Sequence, residues 1–107
     1  DVIMNKEIQK ISCVNSAAFV MHFEVKTHMA AQDISLGSTG NYPVGQERTI
    51  DLSAVDGLEP GMEVFVVVKA VLGKTEKYKE KYTYQKNGLT QAFRVHGTTL
   101  NYTIQEL

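Results

Sequence analysis

Residues 62–72 of the chain read MEVFVVVKAVL, and this stretch carries the strongest indication of the fold class. Residues 64–68 are apolar at every position, and most of them are valine. Valine has a branched β-carbon, which packs well on a pleated sheet and is disfavoured in helices. An uninterrupted apolar run of this length predicts a central strand covered on both faces, or a strand that changes face at a bend.

A second indication of a β protein comes from the alternation of apolar and polar side chains upstream. Phe19, Met21, Phe23 and Val25 share one face of a predicted strand. Such alternation is typical of a half-buried strand with one wet face, as antiparallel sheets have. Further strands are predicted at residues 7–14, 48–52, 81–85, 89–95 and 98–105.

The residues between these segments are typical of turns. Asn87-Gly88 lies between two predicted strands and is the strongest hairpin signal, because both residues tolerate positive φ. Gly97 indicates a second tight turn, and Pro60-Gly61 fits a type II turn. Residues 53–58 are expected to form one short helical turn with Ser53 as its N-cap.

About seven or eight short strands separated by turns predict an all-β chain. We expect a single antiparallel β-sandwich of the jelly-roll or immunoglobulin-like kind, with a closed barrel as the alternative. The 107 residues fit one domain over residues 1–107. No window approaches the length of an apolar helix that spans a membrane. No signal-peptide pattern is visible; because the chain begins at Asp1, a removed leader is left open.

Charge and cysteine content narrow the function classes. Lys and Arg number 11 and Asp and Glu 12, so the formal net charge is −1, which gives no reason to expect nucleic-acid binding. A single cysteine excludes an internal disulfide framework, and Cys13 is in phase with Ile11, so we expect it in the core. Such a chain is expected to be cytoplasmic or secreted without disulfides.

The sequence contains no recognisable catalytic, nucleotide-binding or cofactor-binding motif. His22, His28 and His96 lack the spacing of a metal site. We therefore predict a protein that is not an enzyme, with no cofactor and no bound metal. Oxygen ligands that suit calcium occur in predicted loops, but the EF-hand pattern is absent and a metal-free protein is expected. Those ligands are Asp33, Asn41, Asp51, Asp56 and Glu59.

The long loop predicted at residues 29–46 is the best candidate for a binding site, because loops of this length in a small domain are often functional. Ile34 and Leu36 are compatible with a short extra strand inside it. Tyr42 precedes Pro43, which favours an extended backbone and a partly exposed ring. An aromatic face flanked by amides suits a sugar. The alternative is that Tyr42 caps the end of the sandwich. The predicted ligand-binding residues are Asp33, Asn41, Tyr42, Gln46 and Tyr78.

Residues 73–80 read GKTEKYKE and form the second conspicuous loop, and its basic stretch runs from Lys74 to Lys81. Four lysines and two glutamates leave a local charge of +2, and Tyr78 lies among them. Basic residues interleaved with an aromatic ring suit an anionic surface. The plainer interpretation is a solvated hairpin tip whose lysines keep a sheet edge from pairing.

In size and cysteine content the chain resembles the compact β-sandwich agglutinins of fungi and slime moulds, and no motif carries this resemblance further. The leading hypothesis is a non-enzymatic binding module, a small lectin or hemagglutinin that binds a glycan or glycoconjugate. A homodimer of such a module presents two copies of its binding site. One alternative is a membrane-active, toxin-like β protein whose residues 74–81 meet anionic lipid. Another is an immunoglobulin-like domain for protein interaction.

Overall fold

The computed structural model describes residues 5–107, and within them the chain forms ten strands in two packed sheets. The strands are β1 (Lys6–Ile8), β2 (Lys10–Asn15), β3 (Met21–Met29), β4 (Gln32–Ser38), β5 (Glu47–Asp51), β6 (Glu63–Ala70), β7 (Thr75–Lys77), β8 (Tyr82–Tyr84), β9 (Thr90–Thr98) and β10 (Asn101–Glu106). A single 3-10 turn, Leu52–Ala54, follows β5. No helix in residues 5–107 is long and apolar enough to cross a membrane.

The two sheets form a β-sandwich, which confirms the predicted fold class. The first sheet has the order β1-β8-β6-β3-β4, with β7 also pairing with β6, and the second has the order β10-β9-β2-β5. Both sheets are mixed and not purely antiparallel, because β1 pairs parallel with β8 and β2 pairs parallel with β9. The strand predicted at residues 7–14 is in fact divided at Gln9, where the chain passes from the first sheet to the second.

Strand β6 lies at the centre of the first sheet, as its apolar sequence predicts. Val64, Val66 and Val68 are fully buried between the sheets. Phe65 and Val67 point to the opposite face and are still buried, with exposed fractions of 3% and 8%. The Lys77 ammonium lies 4.3 Å from the centroid of the Phe65 ring, so long side chains cover this outer face.

Strand β3 follows the predicted alternation and continues it. Met21, Phe23 and Val25 face the core and are fully buried. Thr27 extends the same face, and its hydroxyl donates a 2.7 Å hydrogen bond to the Glu63 carbonyl. Cys13 faces the same core from β2, and burial raises the pKa of its thiol to about 12. The thiol therefore stays protonated at neutral pH, as the core prediction implies.

Eight of the eighteen residues in the long loop predicted at residues 29–46 lie in strands. The expected short strand around Ile34 and Leu36 is confirmed and is longer than predicted, since β4 pairs with β3 from Gln32 to Ser38, with a bulge at Leu36. Ala30 and Ala31 connect the two strands with φ of 53° and 64°, a turn that glycine and asparagine normally occupy. Alanine is a poor turn signal, which explains why the hairpin was not predicted.

Two predicted turns need correction. The Asn87-Gly88 hairpin is wrong, because the preceding strand β8 belongs to the first sheet and the following strand β9 to the second. Gly97 lies inside β9, and the turn comes later, at residues 99–100.

The segment between β5 and β6 contains the expected helical turn, but the turn is shorter than predicted and spans Leu52–Ala54. The predicted N-cap, Ser53, is wrong: Asp51 is the N-cap, and its Oδ1 accepts a hydrogen bond from the Ser53 amide at 3.0 Å. The Pro60-Gly61 turn is confirmed by the φ of 95° at Gly61 and by the hydrogen bond from the Met62 amide to the Glu59 carbonyl.

Candidate functional site

Four loops meet at one end of the sandwich, where β2, β4, β6 and β9 end. They are residues 16–20, 39–46, 71–74 and 99–100, and together we call them the apolar loop end. The opposite end carries the β3–β4 hairpin and residues 52–62 and 85–89. The two ends differ in side-chain chemistry, and this difference defines the candidate site.

Large apolar side chains project into solvent from every loop of the apolar loop end. Leu72 is 99% exposed and Leu100 is 75% exposed. Val44 and Val20 are 60% and 41% exposed. A single exposed leucine is unremarkable in a folded protein, but several on adjoining loops form a patch that marks an interaction surface.

Backbone hydrogen bonds hold these loops together. The Lys74 amide donates to the Thr99 carbonyl at 3.0 Å, and the Val71 amide donates to the Val20 carbonyl at 2.9 Å. Gly73 allows the close approach, because a β-carbon there would lie 2.7 Å from the Thr99 carbonyl oxygen. The fixed backbone places Leu72 and Leu100 on directly neighbouring loops.

The backbone of Leu72 has an unfavourable conformation. Its φ of 59° lies in the left-handed region, which is unfavourable for a leucine. The side chain is fully exposed, so the strain is not compensated by packing in the isolated chain. Strained residues of this kind cluster at functional sites and also occur in tight turns, as Ala30 and Ala31 do in the β3–β4 turn.

The apolar loop end contains no acidic residue, and its one charged side chain is Lys74. The Lys74 ammonium pairs with Glu76 of β7 at 2.6 Å. By contrast, the loops at the opposite end contain Asp56, Glu59 and Lys86. The apolar loop end is therefore the less charged of the two ends. The opposite end also exposes apolar side chains, but none as fully as Leu72 and Leu100; they are Met29, Ile34, Leu89 and Leu107, with exposed fractions of 36–58%.

The loop 39–46 contributes three of the predicted site residues, and one prediction about them is wrong. Tyr42 is fully buried and not partly exposed. Its hydroxyl donates a 2.8 Å hydrogen bond to the Cys13 carbonyl, and the Arg48 guanidinium lies 5.0 Å from its ring centroid. Burial raises the pKa of the Tyr42 hydroxyl. Tyr42 thus closes the end of the core, which is the structural alternative considered above.

The two amides beside Tyr42 interact with neighbouring side chains. Asn41 Oδ1 lies 3.1 Å from His22 Nδ1. Gln46 Oε1 accepts a 2.6 Å hydrogen bond from Arg48. Both amides are exposed, but neither flanks an accessible aromatic ring in the way the sugar-binding hypothesis requires.

The remaining predicted residues lie elsewhere. Asp33 is on the hairpin at the opposite end, where His28 Nδ1 lies 2.8 Å from its carboxylate and lowers the pKa of that carboxyl. Tyr78 lies at the open side between the sheets and packs edge-on against Phe93, with ring centroids 5.0 Å apart. The five predicted residues therefore occupy three separate places and do not form one site.

Leu72 and Leu100 are not among the residues predicted from the sequence. A leucine directly before Gly73, and another inside the turn TTLN, are apolar residues at positions where turns are normally polar. That signal is present in the sequence, but only the structure shows that the two turns adjoin. In residues 5–107 no three His, Cys, Asp or Glu side chains lie close enough to hold a metal ion.

Comparisons with known proteins give matches by structure alone. No family model and no curated protein sequence matches the chain. The fold aligns with pneumolysin at a TM-score of 0.51 and 10% identity, and with a disulfide-locked mutant of intermedilysin determined with human CD59 at 0.50 and 17%. Each alignment covers 92% of this chain and 23% of the other. A crystal structure of intermedilysin, described as a human-specific toxin, aligns at 0.43 and 16%.

These identities establish similarity of fold alone. The chain spans less than a quarter of the length of the proteins with which it aligns. Its sandwich therefore corresponds in size to one part of each of those larger chains.

Proposed function

We propose that this chain is a membrane-binding β-sandwich module that docks end-on through the apolar loop end. The observation that carries the proposal is the pair Leu72 and Leu100, exposed by 99% and 75% on adjoining loops. Apolar side chains at the tips of loops enter the boundary between lipid headgroups and acyl chains, where they leave water without burying charge.

Part of the backbone of the apolar loop end suits a lipid environment. Unsatisfied amides are costly in lipid, so paired backbone groups favour the entry of a loop. The amides of Val71, Gly73 and Lys74 donate to protein carbonyls, whereas within residues 5–107 no backbone hydrogen bond is found for the amides of Leu72 and Leu100. The absence of acidic residues from these loops also removes repulsion from anionic headgroups.

The strength of this contact is modest. Burying one leucine contributes roughly 2 kcal/mol, so Leu72 and Leu100 together contribute about 4 kcal/mol. That corresponds to a dissociation constant of about 1 mM. One copy of the module therefore binds a membrane reversibly, and stable attachment requires either several linked copies or a second contact.

The structural comparisons support this toxin-like alternative better than the lectin hypothesis. Intermedilysin is described as a human-specific toxin, and its disulfide-locked mutant aligns with this chain at a TM-score of 0.50. The burial of Tyr42 also removes the aromatic ring on which the glycan-binding hypothesis depended. The glycoconjugate partner is thus the weaker of the two proposals.

Vesicle co-sedimentation tests the proposal. The chain is mixed with phosphatidylcholine vesicles, with and without phosphatidylserine and with and without cholesterol, at millimolar lipid. We expect Leu72→Asp and Leu100→Asp each to weaken binding at least thirtyfold, because each change removes roughly 2 kcal/mol of apolar burial. The matched control is Leu89→Asp at the opposite end, where the leucine is 58% exposed.

The leucine substitutions alter exposed side chains and are expected to leave the fold intact, which a thermal melt verifies. Equal loss of binding in Leu89→Asp would contradict end-on docking. Failure of the unmodified chain to bind any vesicle composition would contradict the membrane function itself. A glycan array with the same chain then decides whether the lectin hypothesis is the better one.

A further inference from the structure

The open side of the sandwich, between the first sheet and β10, holds a feature that the proposed function does not use. Two adjoining grooves of about 310 and 300 Å³ lie there, and both are lined by Tyr78 and Lys79. One wall is formed by residues 76–81, and the other by β10. We call this feature the lateral groove.

Within residues 5–107, strand β10 presents backbone groups to the lateral groove that no other strand pairs with. The Leu107 amide donates to the Ala92 carbonyl at 3.0 Å, which makes these two residues a hydrogen-bonded pair of the antiparallel ladder with β9. Hydrogen-bonded and non-hydrogen-bonded pairs alternate along such a ladder. The amides and carbonyls of Tyr102, Ile104 and Glu106 therefore point away from β9, toward the open side.

This edge is less protected against pairing than the other edges of the two sheets. Strands β1 and β7 have three residues each, and the pairing of β4 with β3 is interrupted by a bulge. Strand β5 has an acidic residue at each end. Strand β10 has six residues, a regular register and no proline. Short edges, bulges and charges are the usual protections of a sheet edge, and β10 is neither short nor interrupted by a bulge.

The one charge on β10 is neutralised from the first sheet. The Glu106 carboxylate pairs with the Lys6 ammonium at 2.8 Å and accepts a hydrogen bond from the Tyr82 hydroxyl. The row of backbone donors and acceptors repeats every second residue, at about 6.6–6.8 Å. Another extended backbone matches such a row, whereas a sugar or a compact ligand does not.

The charges of the opposite wall indicate which strand fits. Glu76 is paired with Lys74. Within residues 5–107, Lys79 and Lys81 make no ion pair, and Glu80 is the one acidic residue of this wall that is also without one. The Lys77 ammonium lies over Phe65 on the outer face of the first sheet and is not counted for the groove. The wall therefore has a net positive charge of one after its ion pair is discounted, counting Lys79 and Lys81 against Glu80.

We propose that the lateral groove binds an extended acidic segment of another protein, which adds to the second sheet as a strand beside β10. Alternate side chains of the added strand point into the groove, where glutamate or aspartate meets Lys79 and an apolar side chain contacts Tyr78. A second copy of this chain fits less well, since antiparallel pairing of two β10 strands brings the lysine walls of both copies together.

The proposal does not depend on membrane binding, because the lateral groove lies along the side of the sandwich and the apolar loop end lies at its tip. A module docked end-on keeps the side of the sandwich accessible. The same chain is thus able to bind a lipid surface and a protein strand at once.

The test uses a short synthetic peptide of alternating glutamate and valine, followed by amide-resolved NMR of the full chain. We expect chemical-shift changes on β10 and residues 76–81, and slower hydrogen exchange at Tyr102, Ile104 and Glu106. The same peptide with N-methyl groups on alternate amides is the matched control, because it keeps the charge and loses the backbone donors. It is expected not to bind.

Protein variants separate charge from fold. Lys79→Glu changes an exposed side chain and is expected to weaken peptide binding about fivefold. Lys86→Glu at the opposite end is the control and is expected to leave it unchanged. Equal binding of a lysine–valine peptide or of the N-methylated peptide overturns the proposal. So do shift changes confined to other surfaces, the absence of any shift change, or self-association through β10 without peptide.

Discussion

At the scale of single residues, the exposed fraction of a side chain distinguishes the tyrosine and cysteine side chains that build the core from those that a ligand can reach. Tyr42 and Tyr78 were both predicted as ligand contacts, yet Tyr42 is fully buried and Tyr78 is half-buried beside the lateral groove. The Tyr42 hydroxyl donates to the Cys13 carbonyl inside the core, whereas no hydrogen bond of the Tyr78 hydroxyl is found in residues 5–107. Replacing tyrosine by phenylalanine is therefore expected to lower the free energy of unfolding at position 42 and to leave it nearly unchanged at position 78.

We expect Tyr42→Phe to lower the free energy of unfolding by about 1–2 kcal/mol, because it leaves a buried carbonyl without its side-chain donor. Tyr78→Phe is the matched control and is expected to change it by less than about 0.5 kcal/mol. Urea denaturation followed by tyrosine fluorescence measures both. Equal effects of the two substitutions would contradict the role given to the Tyr42 hydroxyl.

Cys13 gives a second prediction at this scale. Burial raises the pKa of its thiol to about 12, so almost no thiolate is present near neutral pH. We expect the folded chain to react with a thiol-specific disulfide reagent at pH 8 only at the rate of unfolding, and the urea-unfolded chain to react at once. Rapid reaction of the folded chain would show that Cys13 is accessible.

At the scale of elements, the β3–β4 hairpin shows a local conflict between sequence and fold. Ala30 and Ala31 adopt positive φ, which costs an L-residue other than glycine or asparagine about 1 kcal/mol or more. The pairing of β3 with β4 over the rest of the hairpin maintains this turn. The hairpin is therefore specified by its strands and opposed by its turn.

Replacing the turn by Ala30→Asn with Ala31→Gly is expected to raise the free energy of unfolding by about 1 kcal/mol, because these residues adopt positive φ without the same strain. Ala18→Gly is the control. Ala18 is exposed and does not have positive φ, so glycine there is expected to destabilise by about 0.5–1 kcal/mol. A double variant no more stable than the unmodified chain would contradict the strain argument.

At the scale of the whole molecule, the two sheets are joined at the open side by the contact of Lys6, Tyr82 and Glu106. Hydrogen bonds from Lys6, and then from Tyr82, lower the pKa of the Glu106 carboxyl below its ordinary value of 4.5. Because the folded pKa is depressed, the stabilisation is present above the unfolded pKa and is lost as pH falls through the folded pKa. The contact is therefore expected to weaken under acidic conditions.

Glu106→Gln removes this titration while keeping the shape of the side chain. We expect the variant to be less stable than the unmodified chain at neutral pH, and the difference in melting temperature to vanish as the pH falls through the folded pKa of Glu106, which lies below 4.5. Glu7→Gln, on an exposed residue of the neighbouring strand β1, is the control and is expected to show no such convergence. A difference that stays constant from neutral to acidic pH would show that the carboxylate charge is not what stabilises the contact.

The whole molecule also has two chemically different surfaces, an apolar end and a basic side. The apolar loop end carries exposed leucines and no acidic residue, and the lateral groove carries lysines beside a free strand edge. Because the two surfaces are separate, we expect Leu72→Asp to leave the affinity for the acidic peptide unchanged. Lys79→Glu is expected to leave the affinity for vesicles of neutral lipid unchanged.

Local patterning by itself determined the class of fold and the core. The apolar run of β6, the alternation of β3 and the phase of Cys13 are local features, since they depend on the period of a strand and the burial of apolar side chains. Those predictions are confirmed by the buried positions of Val66, Phe23 and Cys13. The same local reasoning proposed five ligand-binding residues, which the fold distributes over three places.

Only the tertiary structure decided which strands pair and which loops meet. The parallel pairings, the change of sheet at Gln9 and the separation of β8 from β9 all depend on contacts between residues distant in sequence. Leu72 and Leu100 are 28 positions apart, and a backbone hydrogen bond between their loops makes them one surface. Local periodicity carries no information on such contacts, because they arise from the packing of the two sheets and not from the repeat of either strand.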